Sequence, residues 1–245
     1  MGKVVTLGEI MLRLSTTAGT RLAQAEDFSA HYGGGEANVA ISLANYGHHA
    51  VFASKVPTNE LGHAVKKHLN RYGVDISQLL MGGPRLGTYY LEAGVGERGA
   101  SVVYDRAGSS FAVMEKLEWT LEELFQNTDI FHLSGITPAL SASWRELTVT
   151  LLKAAKKAGC KISFDVNYRG KLWTPEEAGK SIRAILPYVD YCSAGSLDAQ
   201  HFLGTPLILV SQIKKKQFIT IKKCRKSIRI FLFFILQNGQ FIPPV

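Results

Sequence analysis

Acidic residues stop short of the end of this sequence: the last is Asp198, and residues 199–245 hold eight lysines and arginines and no acid. Cysteine is also scarce. Cys160, Cys192 and Cys224 are spaced too widely for a CxxC zinc or redox site and are too few for a disulfide framework, so they read as reduced structural thiols. Nothing approaches the ~20 apolar residues that a membrane helix needs; the run Ile230 to Leu236 has seven. The start, Met-Gly-Lys-Val-Val-Thr-Leu-Gly-Glu, enters a β-like run without the basic flank, apolar core and cleavage site of an export signal. The expectation is a cytoplasmic protein with no membrane partner. No period of 20 to 50 residues recurs, which excludes a solenoid or propeller.

What is present is the composition of a globular chain, 245 residues with 46% hydrophobic and 20% charged side chains, enough for a sizeable core. The net charge of +8 would point to nucleic acid if spread over a fold, yet all of it lies in the tail. Residues 1–198 balance 20 basic against 20 acidic side chains. Without grouped aromatics or a known binding motif near Lys214 to Arg229, a nucleic-acid partner is not expected.

Hydrophobic periodicity predicts strands at 3–7, 50–54, 129–133, 161–165 and 188–192. Helices are predicted at 37–46, 60–72, 143–158, 175–185 and 196–203, with Gly47, Gly73 and Gly159 as stops. Segments 11–15, 88–92 and 101–105 alternate apolar with polar residues between glycine-rich turns, as half-exposed antiparallel strands of a small separate sheet would. Strand–helix alternation predicts an α/β fold with a mostly parallel, doubly covered sheet, with ligands beyond the carboxyl ends of its strands.

Three stretches carry candidate chemistry. Gly33-Gly34-Gly35-Glu36-Ala37-Asn38 precedes a helix, so a ligand can approach closely and meet free backbone N–H groups, with Asn38 adding a donor and an acceptor. A plain turn with a polar helix-start residue fits this spacing equally well. Tyr89-Tyr90 and Tyr104-Asp105-Arg106 lie on two strands of the small sheet, and Phe164-Asp165-Val166-Asn167-Tyr168-Arg169 ends a buried strand. Two arginines with two tyrosines suit a ligand bearing a carboxylate and several hydroxyls, because guanidinium forks onto carboxylate while phenol makes single hydrogen bonds. The alternative is a pair of surface charges and half-buried sheet tyrosines.

The run Gly33 to Gly47, followed by Val56-Pro57-Thr58-Asn59-Glu60-Leu61-Gly62, closely resembles the first signature of the PfkB sugar kinases, and the resemblance extends over roughly residues 3–204. It implies a ribokinase-like αβα core with a β-sheet lid, its strands within about 11–33 and 86–106. It further implies ATP and Mg2+ as cofactors, a small-molecule substrate, and a homo-oligomer built through the lid. Gly34 and Asn38 match positions that grip sugar hydroxyls. The later residues are most similar to those of 2-keto-3-deoxygluconate kinases, where the positions of Tyr90, Tyr104, Arg106 and Arg169 hold the sugar acid and those of Asp165 and Asn167 lie near the nucleotide phosphates.

The sequence also departs from that family. The Gly-Ala-Gly-Asp motif that supplies an anion hole and a base is absent, so none of these residues is assigned the catalytic role. Gly94-Val95-Gly96-Glu97 is excluded because it falls in a turn between lid strands. Gly179-Lys180-Ser181 ends like a P-loop, but Thr174 replaces the leading glycine. The family's Asn-x-x-Glu aligns with Gly195-Ser196-Leu197-Asp198, so Asp198 stands on the nucleotide side with a shortened acid and no asparagine. The expected domain is therefore residues 1–206, a truncated ribokinase-like unit, followed by an atypical basic and apolar tail at 207–245 resembling translation in a shifted frame. The resemblance implies ATP-dependent phosphorylation of a sugar acid, with 2-keto-3-deoxygluconate the expected one; the alternative is a non-catalytic binder of the same acid.

Overall fold

A computed structural model describes residues 2–204 together with the strands at 218–223 and 226–232. The chain opens with strands β1 (Lys3–Leu7), β2 (Met11–Ser15) and β3 (Ser29–Gly33), then helix α1 (Gly35–Asn45), β4 (His49–Val56), α2 (Glu60–Arg71) and β5 (Leu79–Met81). Next come β6 (Thr88–Glu92), β7 (Ser101–Asp105), α3 (Leu121–Phe125), β8 (Thr128–Ser134), α4 (Ile136–Ala139) and α5 (Ala142–Lys157). The remainder is β9 (Lys161–Asp165), α6 (Pro175–Ile185), β10 (Tyr191–Ala194), α7 (Ser196–Leu203), β11 (Phe218–Lys223) and β12 (Lys226–Leu232).

The helices start where the sequence supplies caps. The Asn59 carboxamide oxygen accepts from the N–H groups of Leu61 and Gly62 at 3.1 and 3.2 Å, and Ser141 accepts from Trp144 at 3.1 Å. Thr174 and Glu177 form a reciprocal capping box with Pro175 in the first turn of α6.

Eight strands form the main sheet in the order β11-β12-β10-β9-β8-β1-β4-β5, parallel throughout except for β11 against β12. Period-two alternation sends Val5, Leu7, Phe131, Leu133, Ile162 and Phe164 to one face, all fully buried against α5 and α6. Trp144 anchors this layer, stacked on Phe111 at 4.4 Å and donating its indole N–H to the Phe111 carbonyl at 2.8 Å. On the other face, Ala50, Phe52 and Val56 of β4 pack on Ala37, Ala40, Val65 and Leu69 of α1 and α2. Over β8 and β9 that second face turns polar: His132 and Ser163 are paired in register, with Nδ1 and Oγ 3.0 Å apart.

Four further strands form the separate sheet in the order β3-β2-β6-β7. The strands predicted at 11–15, 88–92 and 101–105 are all present. One expectation is corrected: β2 and β6 run parallel, not antiparallel. The sheet joins two hairpin-like pairs, β2 with β3 and β6 with β7, and the seam between them carries the parallel register. The strand expected from 188 begins at Tyr191, because Leu186–Tyr188 form a 3-10 turn with Pro187 inside it. The segments β5, α3 and α4, three to five residues each, were not expected, and β3 falls within the lid stretch expected at about 11–33.

In the tail, where the pattern suggested neither a strand nor a covering helix, β12 pairs in parallel with β10 and β11 closes the edge. Cys160 and Cys192 are buried and free, as expected; Cys224 lies outside the described residues. No helix among the described residues is long and apolar enough to cross a membrane.

The two sheets meet at a glycine. Gly34 stands between β3 and α1, and a Cβ there would collide with the backbone carbonyl oxygen of Glu9, an atom that cannot swing away. Replacing Gly34 by alanine is expected to cost on the order of 1–3 kcal/mol in urea denaturation. Gly99→Ala, where a Cβ would meet nothing, should stay within about 0.5 kcal/mol of the parent.

Candidate functional site

The carboxyl ends of β1, β8, β9 and β10 open on one side of the main sheet, and the lid emerges there. Glu9, two residues past β1, is 5% exposed and accepts from three donors. Arg106 Nε lies 2.9 Å from Oε2, Arg106 Nη2 donates to the same oxygen, and Ser109 Oγ donates to Oε1 at 2.5 Å. Arg106, expected to hold sugar, is thus committed on one side to a core carboxylate. Its guanidinium also stands 5.9 Å from the centre of the Tyr104 ring. A hollow of about 480 Å³ borders Arg106 between Met114, Ser141 and Leu172, apart from Gly34 and Asn38.

The lid register separates residues that adjacent numbering had joined. One cross-strand row reads His31, Arg13, Tyr89, Tyr104, and the next reads Ala30, Leu14, Tyr90, Val103. Successive rows point to opposite faces. Tyr89 and Tyr104 share a face, their rings 5.7 Å apart, whereas Tyr90 lies on the other, edge-on to Phe28 at 5.9 Å. Lys171, in the loop after β9, donates to the Val102 carbonyl at 3.0 Å and stands 5.8 Å over the Tyr104 ring. The Tyr104 face is therefore the one that meets the loop after β9, while Leu12 and Tyr32 of the opposite face pack on the core beside α1 and α2. Tyr90, expected beside Tyr104 and Arg106, is on the wrong face for that grouping, and Tyr89 takes its place.

At the start of α1, the Asn38 side-chain oxygen lies beside Gly33, and the Asn167 carboxamide nitrogen lies beside Gly35, each close to where a Cβ would sit. Asn167 holds the left-handed conformation with φ of 39°, which turns the chain sharply after β9. Beneath this turn Glu36 is buried at 2% exposure, hydrogen-bonded to Ser134, with Oε1 left unpartnered. Burial pushes its carboxyl up, and the nearby Asp165 charge adds to the effect while Ser134 opposes it.

Asp165 is pushed up to about 6, first by burial and then by the charge of Asp198, while Arg169 and hydrogen bonds at Asn167 and Ser193 pull the other way. Asp198, in the first turn of α7, is also raised by burial, against hydrogen bonds from the Tyr168 and Gly195 backbone and the charge of Arg169. Asp165, Arg169 and Asp198 thus occupy one end of the cleft floor, while Asn167 reaches the helix start where Gly34 and Asn38 sit. Among the described residues, Arg13, Arg169 and Lys171 form no contact ion pair.

Glu9, Glu36, Lys171 and Arg13 lie in this region without having been expected from the sequence, and Tyr89 rather than Tyr90 shares the face of Tyr104. Strand parity was the available signal for the tyrosine, since Tyr104 and Tyr89 become neighbours once β6 and β7 are paired.

A sequence profile described as pfkB family carbohydrate kinase matches residues 1–230. The chain is 36% identical over 201 residues to a 2-dehydro-3-deoxygalactonokinase of Haloferax volcanii, covering 82% of this chain and 63% of that one. It is 31% identical over 225 residues to a 2-dehydro-3-deoxygluconokinase of Bacillus subtilis, covering 89% and 69%, and probable fructokinases of Arabidopsis thaliana follow at 28–29%. The solved 2-dehydro-3-deoxygluconokinase of Thermotoga maritima superposes with a TM-score of 0.81 at 42% identity, over 84% of this chain and 63% of that one. The chain therefore spans less than two thirds of the Haloferax and Thermotoga relatives. The ribokinase-like core, the four-stranded lid and these matches together place the chain in the pfkB family of carbohydrate kinases.

Proposed function

We propose that the cleft between lid and core takes a 2-keto-3-deoxy sugar acid, gluconate or its galactonate epimer, as the acceptor of an ATP-dependent kinase. The observation that carries this reading is the surplus of cations around the cleft: among the described residues Arg13, Arg169 and Lys171 lack contact carboxylates, and Arg13 and Lys171 stand with Tyr89 and Tyr104. A neutral sugar would leave those charges without a partner, whereas a carboxylate satisfies them and hydroxyls suit the phenols. The names of the Haloferax, Bacillus and Thermotoga relatives favour the same substrate class, and the fructokinase matches make a neutral ketose the competing one.

Gly34 and Asn38 would hold hydroxyls at the start of α1, with Tyr104, the remaining donors of Arg106 and Arg169 around the acid. Tyr90 drops out of this set, since it faces away. Phe28 and Val103, which are 38% and 50% exposed on the Tyr90 side, form the surface through which two lids would pair.

On the nucleotide side, Asp165, Asn167 and Asp198 would face the phosphates of ATP. Among the described residues no set of three or more His, Cys, Asp or Glu could cage a metal. Asp165 and Asp198 still suit Mg2+, which binds through one or two carboxylates and phosphate oxygens, and a cation there would relieve the charge by which Asp198 raises Asp165. When bound, the ion would neutralise charge on the transferring phosphoryl group. A base for the acceptor hydroxyl has no counterpart in these 245 residues, because the Gly-Ala-Gly-Asp motif is missing.

Titrating 2-keto-3-deoxygluconate in a thermal-shift assay should raise the melting temperature, while a coupled ATP-consumption assay on the same sample stays at background. Turnover would show that a base is supplied from elsewhere in the chain, and stabilisation by fructose alone would remove the sugar-acid reading.

Asp165 gives a pH test. Its folded pKa of about 6 lies above its ordinary 3.8, so its contribution to stability is present below about pH 4 and is lost as pH rises through 6. Asp165→Asn removes that loss. Urea denaturation should show the variant gaining on the parent by up to about 3 kcal/mol between pH 4 and pH 7. A difference independent of pH would contradict the buried carboxyl.

A further inference from the structure

We propose that Arg13 is a specificity-determining residue of the cleft: from the lid face that meets the loop after β9 its guanidinium takes the carboxylate of the ligand, so that a sugar acid is preferred over a neutral sugar. This inference rests on the sugar-acid reading above and assigns the discrimination to one side chain outside the expected site.

The lid places Arg13 in register with Tyr89 on one side and His31 on the other, in the row that ends at Tyr104. This row belongs to the face that Lys171 approaches from the core. Tyr89 is pushed up by burial, and the charge of Arg13 together with a hydrogen bond from its guanidinium to the phenol works against that shift. The neighbouring arginines are neutralised within the chain: Arg85 by Asp105, Arg98 by Glu92 and Arg106 by Glu9. Arg13 has no such partner among the described residues, and its Nε is shielded from solvent without a hydrogen bond.

A guanidinium carries five donors in a rigid fork and cannot relieve its charge by losing a proton. Holding one half-buried with a neutral phenol as its acceptor, Nε unbonded and no anion beside it, leaves room for a ligand to complete it. The partner that fits is planar and anionic with two oxygens, which describes a carboxylate. Arg106 cannot fill that role alone, because two of its donors already serve Glu9. If Arg13 were only sheet filling, stacked among His31 and Tyr89, its removal would act on stability or on all ligands equally.

The test uses the full chain and two variants, Arg13→Gln and Arg13→Lys, with dissociation constants for 2-keto-3-deoxygluconate and D-fructose by calorimetry. Melting temperatures are recorded on the same samples. Arg13→Gln should weaken binding of the acid by about tenfold or more and leave fructose within about twofold or tighter. Arg13→Lys should recover part of the loss, keeping the charge without the fork. Acid affinity within twofold of the parent in both variants, or equal losses for both ligands, would overturn the role of Arg13 while leaving the sugar-acid reading intact. A parent chain that binds fructose alone, or neither ligand, would overturn that reading and the role of Arg13 with it.

Discussion

Lid and core share an apolar seam where Leu12 and Tyr32 pack beside α1 and α2, and the polar contact that fixes their relation is the Glu9 carboxylate held by Arg106 and Ser109. Glu9 follows the first core strand, and Arg106 follows the last lid strand. Burying an ion pair brings little net stability, because desolvation offsets the attraction, but losing one partner strands a buried charge and costs about 3–5 kcal/mol. Such a contact therefore defines geometry more than it adds stability. It sets where the lid leaves the core, and so the separation between Tyr104 above and the start of α1 below. Gly34 enforces the same separation from the other side by admitting the Glu9 carbonyl where any side chain would clash.

Charge is sorted along the cleft. The lid face and the loop after β9 present Arg13, Arg169 and Lys171, while the floor near β9 and α7 presents Asp165 and Asp198, both raised chiefly by burial. On the function proposed above, an acid sugar and a cation-bearing polyphosphate have opposite needs, and the gradient would offer each a separate end. Arg169 lies between them, near enough to lower both aspartates without closing an ion pair with either.

The long elements were legible because their causes are local. The period of α5, the cap at Thr174 and the stop at Gly159 can each be read within a few residues, and the apolar runs of β1, β8 and β9 are those of strands buried on both sides. What escaped depends on pairing. Nothing near Thr88 announces that β6 lies parallel to β2, and a single step of register decides whether Tyr89 or Tyr90 joins Tyr104. The roles of Glu9 and Glu36 were hidden for a related reason. Each is one acid among 20 in the sequence, and only the approach of Arg106 and Ser134 from distant strands distinguishes it. The tail misled because its lack of acids describes composition, whereas β12 joins β10 through backbone hydrogen bonds that any sequence of strand-forming residues can make.

The parallel seam between β2 and β6 has a consequence for how the chain acquires its shape. The first half of the lid is complete by Gly33 and the second begins only at Thr88, with α1, β4, α2 and β5 in between. Closing a loop of that length costs entropy that only the finished seam repays, so the intervening layer is expected to fold before the halves meet. During synthesis, the early hairpin therefore waits with one edge open until some 60 further residues have emerged, and the lid closes on itself only when β6 reaches β2.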